Sequence, residues 1–463
     1  MLFTHTALLS LARTPTPAPP RGVEPLPAGA LALGFDFGTS AARCALVDAE
    51  GSLVCSPPPY PWGDRERQQT PAAWREALFA LLESVPAAER RRISRIAVSG
   101  TSSSVVLYDA KSRRPSSRGC RMYDFNVNRQ AAGTSGEEAM KLIHSVAPEG
   151  HTVRSPTSAL AKVVAWHLEE PLSPEEQIAH QADFVAAQLC GAGPIVSDWH
   201  NALKLGYDVE TLDYPSWMRS GALGEILESR LPRVVMPGGL AANICPELAA
   251  RLGMPTDCQV VGGTTDSIAA FLAAGASTIG DAVTSLGSTL AIKLLSSNPV
   301  SDAARGVYSH RLGDLWLVGG ASNAGCAVLR EQGFTAEELA RLSASIDPSA
   351  APPHAHYYPL PSATVGERFP RADDSAVAVL QPVPEERALF LHSILYGLAR
   401  IEADGYAALK ELGASELRRV QTCGGGSDNP QWMALRERLL GVPTSRAART
   451  DAALGAALLA RGP

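Results

Sequence analysis

Several signatures that would classify this chain quickly are missing from its 463 residues. The eight cysteines, at 44, 55, 120, 190, 245, 258, 326 and 423, form no C-x-x-C pair. That excludes a zinc ribbon and a disulfide framework, and reads as reduced thiols packed as small hydrophobes. No apolar run approaches the roughly 18 residues of a membrane-spanning helix. Charged residues make up only 19% and the net charge is -6, which argues against a nucleic-acid-binding surface. The ten histidines are dispersed, without metal-ligand spacing. No G-x-x-x-x-G-K-[ST] string occurs, so a P-loop is excluded. No acidic residue precedes Glu24 in a stretch rich in Pro, Ala and Thr. Residues 1–30 therefore read as a disordered tail or an organelle transit peptide, with the chloroplast as the expected destination.

What is present is a 45% hydrophobic chain, long enough for two or three domains at roughly 100–200 residues each. Strands and helices alternate in the α/β manner. "LALGFDFG" is a short apolar run ending in glycine, a buried strand. "ARCALVDAEGSLVC" gives two more strands about a turn, and "ISRIAVSG" another. "TPAAWREALFALLESV", "SALAKVVAWHLEE" and "QADFVAAQLCG" read as helices. The second half repeats the theme. "DAVTSLGSTLAIKLLS" is strand, small-residue turn, strand. "RVQTCGGGS" is a strand, "NPQWMALRERLLG" a helix, and "TDAALGAALLAR" a small-residue helix. Two hairpins with glycine-bearing tips, each opening one half, imply a duplicated, two-lobed protein. The Pro-rich stretch at 348–371 reads as a surface excursion.

Four segments carry candidate chemistry. "DFGTSAAR" has the form D-x-G-T-x-x-x-R at a strand–turn–strand. Gly38 allows close backbone approach, Thr39 and Ser40 offer donors, and Asp36 at the strand end can hold Mg2+ through water. Its D-F-G triplet is not that of a protein kinase, because the parts required upstream are absent. "TSLGSTLA" presents Gly287, Ser288 and Thr289 at a second tip, as an ordinary hairpin also would. "CGGGSDNPQW" places Gly424, Gly425 and Gly426 before a helix, where a flat base or ribose could lie on the backbone and an anion at the helix N-terminus. "VVGGTTDSIAAFLAAG" sets Asp266 at a helix start, as an N-cap or as a base at a lobe junction.

In order and spacing, these four segments resemble those of the FGGY carbohydrate kinases, over about residues 31–463. The resemblance implies a two-lobed, actin-like ATPase fold of duplicated ribonuclease H-like domains with a cleft between them. The N-terminal domain would cover 31–256 and the C-terminal domain 257–463. It implies ATP and Mg2+ as cofactors, a small-molecule sugar as partner, and neither nucleic acid nor membrane. Asp266 would take the proton of the sugar hydroxyl, and Asp36 would organise the metal and touch the sugar. Gly38, Thr39, Ser40 and Arg43 would line the phosphate path, with Gly287, Ser288 and Thr289 facing the β/γ phosphates. Gly424, Gly425, Gly426 and Asn429 would hold adenosine. Thr101, Ser102 and Ser103 of "SGTSSS" are sugar-pocket candidates, and so is Asp124 in "MYDFNVNRQA", where the spacing departs from the family's pattern. "SPTSALAKVVAW", "SDWHNALKLGYD" and "GGGSDNPQWMALRERLLG" resemble the plant and cyanobacterial D-ribulose kinase branch. The expected reaction is D-ribulose to D-ribulose 5-phosphate. D-xylulose is the second choice; an actin- or chaperone-like ATPase and an inactive sugar-binding relative are the rivals. The number of subunits is left open.

Overall fold

The computed structural model describes residues 24–462, apart from 110, 113, 192, 363 and 365. Residues 1–23 of the tail expected at 1–30 lie outside the described residues; residues 24–30 do not continue it as a disordered tail, because Leu26 is buried in the first lobe's core and the Glu24 carbonyl accepts from Arg95 NH1 at 2.6 Å.

Two mixed sheets organise the chain. The first runs Leu240–Asn243, Gln259–Val261, Ile93–Gly100, Leu31–Phe37, Ala41–Val47, Leu53–Cys55 in spatial order. The second runs Tyr308–Leu312, Leu315–Ser322, Leu290–Ser296, Asp281–Leu286, Arg419–Cys423, Thr444–Arg446. Each is built on the same unit. An antiparallel hairpin opens it, Leu31–Phe37 with Ala41–Val47 or Asp281–Leu286 with Leu290–Ser296. The hairpin's first strand then pairs in parallel with a distant strand, Ile93–Gly100 or Arg419–Cys423. This repetition is the duplicated, two-lobed actin-like architecture. Leu31–Phe37 is buried at every position, which accounts for its unbroken apolar run: both faces of a central strand are covered.

The path between the lobes differs from the expected boundary at 256/257. Gln259–Val261 and Thr264–Thr265 both pair with Ile93–Gly100, so they complete the first sheet. Helix Asp266–Ala273 leaves from there. The C-terminal helix, Ala452–Arg461, returns to the first lobe, where Ala453, Leu454, Ala457 and Ala460 share a core with Ala32, Ala45, Ala97 and Ala273. Glycine permits the contact. A Cβ on Gly34 would fall 2.0 Å from Ala457 N, and one on Gly455 1.7 Å from Ala269 O.

The Pro-rich stretch is not merely superficial. Phe369 is fully buried, and Glu367 accepts hydrogen bonds from Ser322 Oγ (2.6 Å), Asn323 N (2.7 Å) and Tyr358 OH (2.9 Å). Its prolines reflect an irregular backbone, but its aromatic residues belong to the second lobe's core. Among the described residues no helix is long and apolar enough to cross a membrane.

Candidate active site between the lobes

Asp36 is the last residue but one of the first strand and is 4% exposed. Its register partner across the hairpin is Arg43, with Arg43 NH1 3.9 Å from Asp36 Oδ2 and Arg43 NH2 donating to Ser40 Oγ at 3.2 Å. Ser99 Oγ donates to Asp36 Oδ1 at 2.9 Å. A Cβ on Gly38 would lie 3.1 Å from Asp36 Oδ2, so glycine there keeps the carboxylate's outer face clear. Thr39 and Ser40 stand exposed at the tip. Burial, then the charge of Asp266, lift the Asp36 carboxyl to about 7.

Asp266 opens the junction helix, with its Oδ1 accepting from Ser267 N at 2.6 Å. Burial raises its pKa, and Lys293 and Lys204 pull it back. Lys293 comes from the second lobe, on the strand after the second hairpin tip. It donates to Ser267 Oγ at 3.1 Å, and burial lowers its pKa to about 8. His200 adds another link between lobes. Its Nε2 is 2.6 Å from the Arg311 carbonyl and its Nδ1 2.7 Å from Thr264 Oγ1. Burial drives its pKa to about 4; the neutral ring donates from Nε2 and accepts the threonine hydroxyl at Nδ1. Two carboxylates, a lysine and the exposed hairpin tip at Thr39 and Ser40 thus meet where the lobes join. Among the described residues no three His, Cys, Asp or Glu side chains are placed to hold a metal ion. The donor set fits Mg2+ all the same, because that ion commonly takes one or two carboxylates and completes its shell with water and phosphate.

The second hairpin is backed by its neighbours. Cys326 N donates to Gly287 O (2.8 Å), Ala327 N to Ser288 O (3.2 Å), and Arg330 NH2 to Ser288 Oγ (3.0 Å); Ser288 and Thr289 are exposed. Gly424 has φ +86, and a Cβ there would lie 2.5 Å from Leu286 O; one on Gly426 would meet the Trp432 ring at 2.6 Å, whereas one on Gly425 meets nothing. Asn429 is committed locally. Its Oδ1 caps the next helix at Trp432 N (3.0 Å) and its Nδ2 donates to Ser343 Oγ (2.7 Å). Beneath both loops, Arg436 makes a bidentate ion pair with Glu402 at 2.6 and 2.7 Å and donates to Thr422 Oγ1 at 2.8 Å; Thr284 Oγ1 donates to Glu402 at 2.5 Å. Both ionic side chains are inaccessible.

Within the first lobe, a cavity of about 370 Å³ is lined by Thr39, Ser40, Trp62, Gly63, Asp64, Gln68 and Tyr123. Of the candidate sugar ligands, Thr101 is occupied: Gln181 Oε1 accepts from both its N–H and its hydroxyl at 2.9 Å. Ser102 is half-buried. Ser103 is buried at φ +68 with its Oγ unpartnered. Asp124 is exposed next to Tyr123. Trp62 and Gln68, which the sequence reading missed, reach this cavity from the segment after strand Tyr60–Pro61, with Gln68 ending the short helix Arg65–Gln68, and the Trp62 Nε1 bond to Gly38 O (3.0 Å) ties that segment to the tip of the first hairpin. The tryptophan of "YPWGD" was the available signal.

Residues 282–461 match the FGGY family of carbohydrate kinases, C-terminal domain. Over 312 residues the chain is 24% identical to a gluconokinase of Bacillus subtilis, a match covering 64% of this chain and 58% of that protein, less than two thirds of its length. The fold is that of a xylulose kinase from Rhodospirillum rubrum (TM-score 0.75, 23% identity, 93% and 89% of the two chains). A Plasmodium falciparum glycerol kinase solved with ADP is similar too (0.72, 15%, 93% and 89%).

Proposed function

We propose that the chain is a carbohydrate kinase of the FGGY type, as the match of residues 282–461 to that family's C-terminal domain supports, and that it transfers the γ-phosphoryl group of ATP to the terminal hydroxyl of a sugar held against the first lobe. The observation that carries this reading is the placement of Asp266. It starts a helix at the lobe junction, within the field of Asp36 on the first phosphate hairpin and of Lys293 beside the second. The acceptor oxygen bonds to the γ-phosphorus while the bond to the β,γ-bridging oxygen breaks. ADP leaves, and the hydroxyl proton passes to Asp266. A loose transition state asks mainly for positioning and late proton uptake, which a carboxylate can supply. When bound, Mg2+ would neutralise charge on the transferring phosphates, held through water by Asp36. Asp36 also faces the sugar, Thr39, Ser40 and Arg43 border the phosphate path with Gly287, Ser288 and Thr289 opposite, and adenosine lies on Gly424–Gly426.

The substrate is a pentulose, D-ribulose before D-xylulose. Among the described residues, hydroxyl, amide and aromatic groups with Asp64 line the cavity, without a lysine or arginine; that supports an uncharged polyol over a sugar acid. D-Ribulose itself rests on the branch resemblance in "SGTSSS" and "SDWHNALKLGYD". Coupled ADP release across pentuloses, polyols and aldonates tests both levels. Turnover with gluconate alone would overturn the pentulose assignment, and ATP hydrolysis indifferent to every sugar would overturn the kinase.

A further inference from the structure

Lys162 lies in helix Ala159–Glu169 and is wholly inaccessible. Burying an ammonium is costly unless its donors are matched. Its Nζ reaches three backbone carbonyls, Ser103 O at 2.8 Å, Met122 O at 2.7 Å and Tyr123 O at 3.4 Å. Burial lowers its pKa to about 7; in the protonated form its three N–H donors all go to carbonyls of two loops about twenty residues apart in sequence. One follows strand Ile93–Gly100, the other strand Arg114–Arg121. A second stitch joins the same loops, with Tyr123 N donating to Ser104 Oγ at 2.9 Å. Both loops need holding. Ser103 sits in the left-handed region, which costs a non-glycine residue roughly 1–2 kcal/mol. Tyr123 forms one wall of the cavity beside Trp62 and Gln68.

We propose that Lys162 is a positioning residue for the sugar: its ammonium clamps the Ser103 and Met122–Tyr123 carbonyls and so fixes the Tyr123 wall of the substrate cavity. The inference rests on the kinase reading of that cavity. No neutral side chain of similar size can donate to three carbonyls, so the clamp requires lysine at this position.

The test uses the full chain and two variants, Lys162→Met and Lys162→Gln, with pentulose binding by calorimetry and steady-state KM values for sugar and ATP. Lys162→Met should weaken sugar binding by at least about tenfold, within the roughly hundredfold that small misplacements cost. The ATP KM should stay unchanged. Lys162→Gln, with two donors, should fall between. A merely structural lysine would reduce the folded fraction and lower kcat without splitting the two KM values. If Lys162→Met does not fold, Lys162→Gln with an unchanged sugar KM overturns the proposal. In a Tyr123→Ala background the Lys162→Gln effect should shrink; full additivity overturns the route through Tyr123. Sugar binding by the unaltered chain without ADP release would sink the kinase reading and leave the clamp standing. Turnover with identical sugar KM in all variants would sink the clamp and leave the kinase. Absence of pentulose binding by the unaltered chain overturns both.

Discussion

Gly455→Ala probes how the return of the C-terminal helix places the junction aspartate. The added methyl would lie 1.7 Å from Ala269 O and 2.5 Å from Ala269 C. Ordinary heavy-atom contact begins near roughly 3.5 Å, so one helix must retreat by about 2 Å. The obstacle is backbone, so no rotamer change relieves it. Overpacking of this kind costs about 1–3 kcal/mol, and a backbone clash belongs at the upper end. At about 2–4 °C per kcal/mol for domains of this size, the melting temperature should fall by roughly 6–12 °C. Ala269 is on the same short helix as Asp266. A shift of about 1 Å at a catalytic group can cost on the order of a hundredfold, so kcat should fall while the KM for ATP holds. Differential scanning calorimetry and ADP-release kinetics read the two effects, with Gly191→Ala, whose added methyl meets open space, as control. Unaltered melting and turnover in Gly455→Ala would refute the reasoning.

Further expectations follow from the same geometry. Gly424→Ala should raise the KM for ATP, because it sets a side chain at φ +86 and 2.5 Å from Leu286 O, whereas Gly425→Ala should leave the melting temperature unchanged. With the Asp36 carboxyl lifted from 3.8 to about 7, the folded chain holds a proton between those values that the unfolded chain has released. Asp36 therefore costs more stability as pH rises through that window. Asp36→Asn should be more resistant to urea than the unaltered chain at pH 8, gain nothing at pH 4, and lose turnover throughout. Glu402→Ala leaves the Arg436 charge buried and unpaired, so it should destabilise by about 3–5 kcal/mol in chemical denaturation.

The parts of the fold legible in the sequence were those written in one short stretch. The run 31–37, the strand at 93–100 and both hairpins carry their own periodicity, glycine and turn chemistry. The domain boundary was not legible, because Gln259–Val261 joins its sheet through pairing with Arg95 and Ile96, a contact no local pattern records. The burial of Phe369 was hidden for a similar reason: the prolines around it describe the backbone, while its packing against Gly320 and Gly405 is tertiary. In the site, Asp36 and Asp266 stand out because one lies near the end of a strand and the other at the start of a helix, each with glycine nearby. Lys293, Lys162 and His200 have no such signature. Each is a single polar residue whose partner lies in another element, and Lys162 reads as an ordinary position within an apolar helix. Thr101 shows the converse. Its motif looked like a ligand set, but its hydroxyl and amide are committed to Gln181.

Sugar-dependent ADP release by the unaltered chain and by Asp266→Ala, with ATP binding followed in parallel, tests the central claim most directly. The expected result is pentulose-stimulated turnover in the unaltered chain and its loss by several orders of magnitude in the variant, with the ATP Kd preserved. Sugar-stimulated turnover that survives Asp266→Ala would contradict the account.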